Sequence, residues 1–142
     1  MNKILKAAML LMLVAACKVE NNLKVAAEPA KKITGTWQIV DAAENGTDLM
    51  NYFDFTKFRI VFTDSTYVID SLVPFMVAHN GNWKVDDPQY PFSITLTPAD
   101  SAKGVESSLS FPVVNGLRNM ILTFSPGCTA NSYKYTLQPV TQ

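Results

Sequence analysis

The chain has 142 residues, of which 48% are hydrophobic, 11% aromatic and 17% charged. Twelve Lys and Arg balance twelve Asp and Glu with no long basic run, which argues against a nucleic-acid binder working by phosphate neutralisation. The length suits one domain, the aromatic content argues against disorder, and eight Pro and six Gly exclude a collagen-like or low-complexity chain.

Lys3 and Lys6 form a positive amino-terminal region, and an apolar stretch then runs to Ala16. It is too short to span a bilayer, which takes ~20 residues, so residues 1–16 read as a signal peptide. The end of the stretch, Val14-Ala15-Ala16-Cys17, resembles the bacterial lipobox, in which small residues precede a Cys that is acylated before cleavage. The resemblance implies a lipid on Cys17, the membrane as partner through that anchor, and a place on the bacterial outer membrane, facing the periplasm or the cell surface. Lys18-Val19-Glu20 resembles the charged surface-export signal of Bacteroidota lipoproteins. With Cys17 acylated, Cys128 is the one thiol left, so no intramolecular disulfide can form in the mature chain, and a buried, inert Cys128 is expected. Residues 17–32 then comprise the lipidated Cys and a flexible tether, which has mixed charges, Pro29 and no sustained period, and a root-mean-square span of ~20 Å.

From Ile33 to the end the period is two. Strands are expected at residues 36–42, at 57–63 with Phe58, Ile60 and Phe62 on one face, at 66–70, and at 80–85 around Trp83. Four more follow: Phe92, Ile94 and Leu96 alternate with polar partners, as do Leu109, Phe111 and Val113, then Met120, Leu122 and Phe124, then Tyr133, Tyr135 and Leu137. Turn signals such as Asp86-Asp87-Pro88 and Asn115-Gly116 separate them. Strict alternation means one buried and one wet face. Eight such strands with short links over residues 33–142 predict an all-β fold, an antiparallel up-and-down barrel or a sandwich, and a closed barrel would also leave no edge strand. Residues 47–55 break the alternation. Thr47 or Asp48 can act as N-cap, and Leu49, Tyr52 and Phe53 share a helical face, so a short helix is expected between the first two strands, plugging one barrel end or lining its mouth.

Gly35-Thr36-Trp37 opens the first strand and resembles the Gly-x-Trp of lipocalins, where the Trp packs across the closed end of the barrel. More broadly, residues 33–140 resemble a lipocalin-like domain family of unknown function found in Bacteroidota lipoproteins. The residues that carry this include Asn45-Gly46-Thr47, Tyr52-Phe53-Asp54-Phe55, Asn80-Gly81-Asn82-Trp83, Asp86-Asp87-Pro88-Gln89-Tyr90-Pro91-Phe92 and Phe124-Ser125-Pro126-Gly127-Cys128. The resemblance implies a lipocalin-like barrel with Gly35 and Trp37 as structural residues.

Little catalytic chemistry is legible. His79 is the single His, Asp86-Asp87 lacks the regular acidic spacing of a Ca²⁺ loop, and no phosphate-cradling Gly loop occurs, so neither enzyme activity, nor a metal, nor a cofactor is expected. Ser65, Ser71 and Ser101 each follow an Asp and precede Thr66, Leu72 and Ala102, which resembles the O-glycosylation motif of exported Bacteroidota proteins. Two functional readings remain. One is a monomeric, membrane-anchored binding module for a small apolar or amphipathic ligand, contacted by Tyr52, Phe53 and Tyr90 on connecting segments and by Trp83 of the strand at 80–85. The other is an accessory subunit of a cell-surface assembly, glycan-handling where its exposed aromatics stack on sugars, with a barrel filled by its own inward aromatics.

Overall fold

The structure, a computed structural model, describes residues 31–140. The expected signal peptide of residues 1–16, the expected lipidation site Cys17 and nearly all of the expected tether of residues 17–32 lie outside the described residues. Eleven strands form, and among the described residues there is no helix. They are β1 (Gly35–Glu44), β2 (Thr47–Asp48), β3 (Arg59–Phe62), β4 (Thr66–Asp70), β5 (Gly81–Val85), β6 (Ser93–Pro98), β7 (Val105–Ser110), β8 (Val113–Val114), β9 (Leu117–Arg118), β10 (Met120–Phe124) and β11 (Tyr133–Pro139).

Eight of them close an antiparallel barrel in the order β1-β3-β4-β5-β6-β7-β10-β11, with β11 pairing back onto β1. The order follows the chain, so the barrel is up-and-down, and its closure leaves no long sheet edge to pair with other chains. The two-residue β2 folds back on β1 through the Asn45-Gly46 turn, and β8 and β9 form a separate small hairpin.

Strand direction defines two ends. The chain enters at the lower end with Lys31 and rises along β1. The lower end also carries the β3–β4 turn, residues 86–92 and the β8–β9 hairpin. The upper end carries residues 45–58, 71–80, 99–104 and 125–132.

Alternation built the wall as expected. Ile60, Phe62, Tyr67, Ile94, Leu96, Leu109, Met120, Leu122, Tyr135 and Leu137 all point inward and are buried. In β1 the alternation would place Asp41 inside. A bulge between Ile39 and Asp41, opposite Leu137 and Thr136 of β11, inserts one residue and turns Ala42 inward instead. Trp37 closes the lower end, buried against Ile33, whose carbonyl accepts its indole N–H at 2.7 Å. Gly35, at φ 129°, holds a backbone conformation that only glycine adopts freely.

Four expectations need correction. The helix at 47–55 is absent. Asp48 does cap a turn, its carboxylate accepting from the Met50 N–H at 2.7 Å, and the Phe53 N–H reaches the Leu49 carbonyl, but the coil stops after that one turn. Upstream, the Leu49 N–H is bonded to the Ala42 carbonyl of β1, and downstream Asp54 opens a tight turn of its own on Thr56. The segment still plugs the barrel, through Leu49 and Phe55 rather than a helical face. Phe92 does not point inward but is 73% exposed, because β6 begins at Ser93 and Asp86 holds the Phe92 and Ser93 N–H groups in the preceding loop. Val113 is likewise exposed, since β7 ends at Ser110 and Val113 belongs to the small hairpin. Cys128, expected buried, is exposed on the β10–β11 connection.

Candidate functional site

A ligand site inside the barrel would need space at its waist. The waist is instead filled by side chains. Tyr67, Tyr135, Phe55, Phe58 and Phe62 are essentially fully buried, together with Ile60, Ile94, Leu96, Met120, Leu122 and Leu137. An eight-stranded barrel is just wide enough for side chains to fill it. Rings account for much of the volume: Phe55 and Phe75 both meet Tyr135 edge-on, Phe58 lies 4.9 Å from Phe75, and Phe124, Tyr133 and Tyr135 stack nearly parallel.

The upper end is covered by residues 71–80. Met76 and Val77 are buried there, and the Pro74 carbonyl accepts the Tyr135 hydroxyl at 2.7 Å. Burial, then the nearby Tyr133 and Glu44, raise the Tyr135 pKa above its ordinary value of 10.0. Inside the barrel the Tyr67 hydroxyl is buried without a partner, and burial, with the Asp100 charge adding to it, pushes its pKa up to about 12.

Clefts therefore open at the rims. One of about 360 Å³ at the upper end is lined by Met50 to Thr56. Tyr52 and Phe53 lie on it, 72% and 43% exposed, beside Asp54, whose carboxyl is held below its ordinary range by the Thr56 hydroxyl and N–H. A second upper cleft of about 160 Å³ lies against Pro74, Phe75, Phe124 and Tyr133. At the lower end, a cleft of about 440 Å³ runs past Lys31, Lys32, Gly35, Trp37 and Arg118, and another of about 370 Å³ past Tyr90, Phe92, Leu109 and Phe111. The waist residues Ile60, Ile94, Leu96, Leu122 and Leu137 line none of these.

The four residues expected to contact a ligand are not brought together. Tyr52 and Phe53 belong to the upper end, and Tyr90 to the lower. Trp83 is half-buried in the wall, its indole N–H on the Thr63 carbonyl at 3.0 Å and its ring edge-on to Phe62. The expected strand order already held the signal for this: three strands separate the Tyr52 segment from Tyr90, and in an up-and-down barrel an odd number of crossings puts two loops at opposite ends.

The remaining polar groups mostly organise loops. Asp86 accepts the Phe92 and Ser93 N–H groups at 3.0 Å, and Asp87 those of Gln89 and Tyr90, so the Asp pair serves its own loop. The bond from Ser93 is the main reason the Asp86 carboxyl titrates below its ordinary range. His79 and Asp100 lie 3.5 Å apart at the surface. Among the described residues, no three of His, Cys, Asp and Glu assemble as a metal-ligand set. Ser65 and Ser71 are exposed, whereas the exposed Ser101 uses its hydroxyl both to donate to the Lys103 carbonyl and to accept the Lys103 N–H.

Fold and surface together define a small closed β-barrel with a filled interior and clefts at its rims. The chain belongs to the family described as a domain of unknown function (DUF5004), whose model matches residues 15–138. No curated protein and no solved structure matches it.

Proposed function

We propose that this protein is a lipid-anchored, non-catalytic binding module of the bacterial cell envelope that works through its surface and not through an internal cavity. The single observation that carries this reading is the packed interior, where five buried aromatic rings, Phe62, Tyr67 and Tyr135 of the wall and Phe55 and Phe58 of the upper plug, take the volume a ligand would need. The family match begins at residue 15, so the region it covers includes Cys17 as well as the barrel. The up-and-down order, the Gly35-Thr36-Trp37 opening and the Trp37 ring across the lower end support likening the barrel to lipocalins. The anchor would hold the domain at the outer membrane as an accessory subunit, with Tyr52 and Phe53 at the upper end offering exposed rings to a protein or glycan partner. Ser65 and Ser71 are the sites where a glycan has room on the hydroxyl.

A native mass spectrum of the full chain from its membrane, before and after organic extraction, tests this reading. The expected mass is that of a chain beginning at Cys17 with its acyl chains, plus any covalent glycan, and extraction leaves it unchanged. Loss of several hundred daltons on extraction would reinstate an internal ligand, and an unacylated mass would remove the anchor.

A further inference from the structure

The lower end of the barrel carries an apolar surface that the core does not need. Phe92 is 73% exposed, Val113 60%, and Tyr90, Val114 and Leu117 more than 40% each. These side chains come from two neighbouring connections, the 86–92 loop and the β8–β9 hairpin, which meet at the cleft shared by Tyr90, Phe92, Phe111 and Arg118. The hairpin is a sheet of its own, and its Asn115-Gly116 turn has φ values of 52° and 79°, the geometry of a tight two-residue turn. It presents Val113, Val114 and Leu117 on a short, well-defined finger. Contiguous exposed apolar surface of this kind marks a contact face.

Chain connectivity points to the occupant. Lys31, where the described chain begins, borders both lower clefts. Residues 18–30 are all that separate it from Cys17, and a chain of that length reaches no more than about 50 Å. The apolar end is thus the end nearest the anchor. Charge agrees with that orientation. At the lower end Lys31, Lys32 and Arg118 face Asp64, Asp86 and Asp87, and the last two have their carboxylates on backbone N–H groups. At the upper end Glu44, Asp48, Asp54, Asp70 and Asp100 outnumber Lys57, Arg59 and Lys103, which places the acidic excess away from the lipid.

We propose that the lower end docks directly on the bilayer. Phe92, Val113, Val114 and Leu117 enter the boundary between headgroups and acyl chains, and Tyr90 and Lys32 sit at the headgroup level, where amphipathic side chains are stable. The orientation rests on the lipid-anchor reading; the apolar contacts do not. The lipid on Cys17 and this face then act as two membrane signals, and together they fix which end of the barrel looks outward.

Spin labels test this on the full chain purified from bacterial membranes and placed in phosphatidylethanolamine–phosphatidylglycerol vesicles. With Cys128→Ser removing the exposed thiol, Val114→Cys carries a nitroxide at the lower end and Tyr52→Cys one at the upper end. The expected result is several-fold less collision of the label at 114 with an aqueous nickel chelate, more with oxygen, and a fully aqueous label at 52. A label at 114 as aqueous as that at 52 overturns the proposal. So does spin–spin broadening at 114 without vesicles, which would make this face an interface between two copies. Intact mass of the same preparation reads the acyl chains separately. If they are absent, the anchor reading fails and Cys17 keeps its thiol, so the labelling is repeated with Cys17→Ser, and docking then stands or falls on whether the label at 114 is immersed, an unbound chain counting as aqueous.

Discussion

The Tyr135 hydroxyl on β11 donates to the Pro74 carbonyl at 2.7 Å, across 61 positions of sequence. That bond ties the β4–β5 connection over the upper end of the barrel. Only two residue pairs join β4 to β5, so residues 68–80 are otherwise held by packing of Phe75, Met76 and Val77, and by the Ile69 N–H on the Asn80 side chain.

Tyr135→Phe keeps the ring stack and removes the bond. It leaves the Pro74 carbonyl half-buried and unpaired, at a cost of about 1–2 kcal/mol. Because the loss is local, amide hydrogens of residues 71–80 should exchange faster than in the wild type, with little change in β6, β7 and β10. Uniform acceleration across the barrel would mean that the bond supports the whole fold and not the cover.

Each strand of the barrel was legible because its inward residues alternate. Phe58-Ile60-Phe62 and Met120-Leu122-Phe124 announce their buried face from local pattern alone. What failed depends on distant partners. The helix at 47–55 had a good cap and a good apolar spacing, yet the chain leaves the coil after Phe53, where Asp54 takes the Thr56 N–H and Phe55 is buried in the core. Phe92 has the parity of an inward residue but stands one step beyond the start of β6. The bulge in β1 shifts the parity without any glycine or proline to signal it. The proposed ligand mouth failed for a topological reason, since Tyr52 and Tyr90 sit on loops separated by an odd number of barrel crossings. Nothing in the sequence marks Cys128 as exposed beyond the Pro126-Gly127 turn beside it.

That exposure has a direct consequence. Cys128 should react with an aqueous thiol reagent in the folded protein as fast as it does in urea. The full chain should also form a disulfide-linked dimer on oxidation, visible on a non-reducing gel and abolished by Cys128→Ser. A thiol that reacts only after unfolding would contradict the structure at this loop.

Asp86 carries a pH-dependent part of the stability. Its carboxylate accepts two backbone N–H groups, so its pKa is lower in the folded chain than in the unfolded one. Its contribution is therefore complete above the ordinary carboxyl value of 3.8 and fades as the pH falls through the lower folded value. Asp86→Ala should lower the melting temperature at pH 6 and narrow its gap to the wild type at pH 2. An undiminished gap at low pH would assign the effect to loop geometry and not to the charge.

Gly81 marks where two strands come too close for a side chain. A Cβ there would lie 2.0 Å from the Thr97 carbonyl oxygen, and that neighbour is backbone of β6, which cannot rotate away. Gly81→Ala should destabilise the barrel by about 2–3 kcal/mol, by forcing β5 off β6 at the edge of the sparsely paired β4–β5 seam. Denaturant unfolding followed by tryptophan fluorescence reads this, because Trp83 sits two residues on. A neutral substitution would mean that the β5–β6 spacing is wider than the structure has it.

Tyr67 offers the reverse case, a substitution that should stabilise. Its ring packs inside the barrel near Phe62, but its buried hydroxyl has no partner. An unpaired buried hydroxyl loses its hydration without a compensating bond, so Tyr67→Phe should raise stability at pH 7 by about 1 kcal/mol. The same hydroxyl gives an alkaline signature. Burial, with the charge of Asp100 adding to it, moves its pKa from 10.0 to about 12. Between those values the unfolded chain releases the proton and the folded chain keeps it. The Tyr67 contribution is thus intact below pH 10 and is lost as the pH rises towards 12. Tyr67→Phe should therefore lose less stability than the wild type between pH 9 and 11, the residual slope coming from Tyr135, whose pKa burial raises, and from Tyr133, whose pKa is raised first by its hydrogen bond to Glu44. Urea midpoints at those two pH values measure both effects. If Tyr67→Phe is instead less stable at pH 7, the hydroxyl has a partner, and an ordered internal water is the group that would supply it.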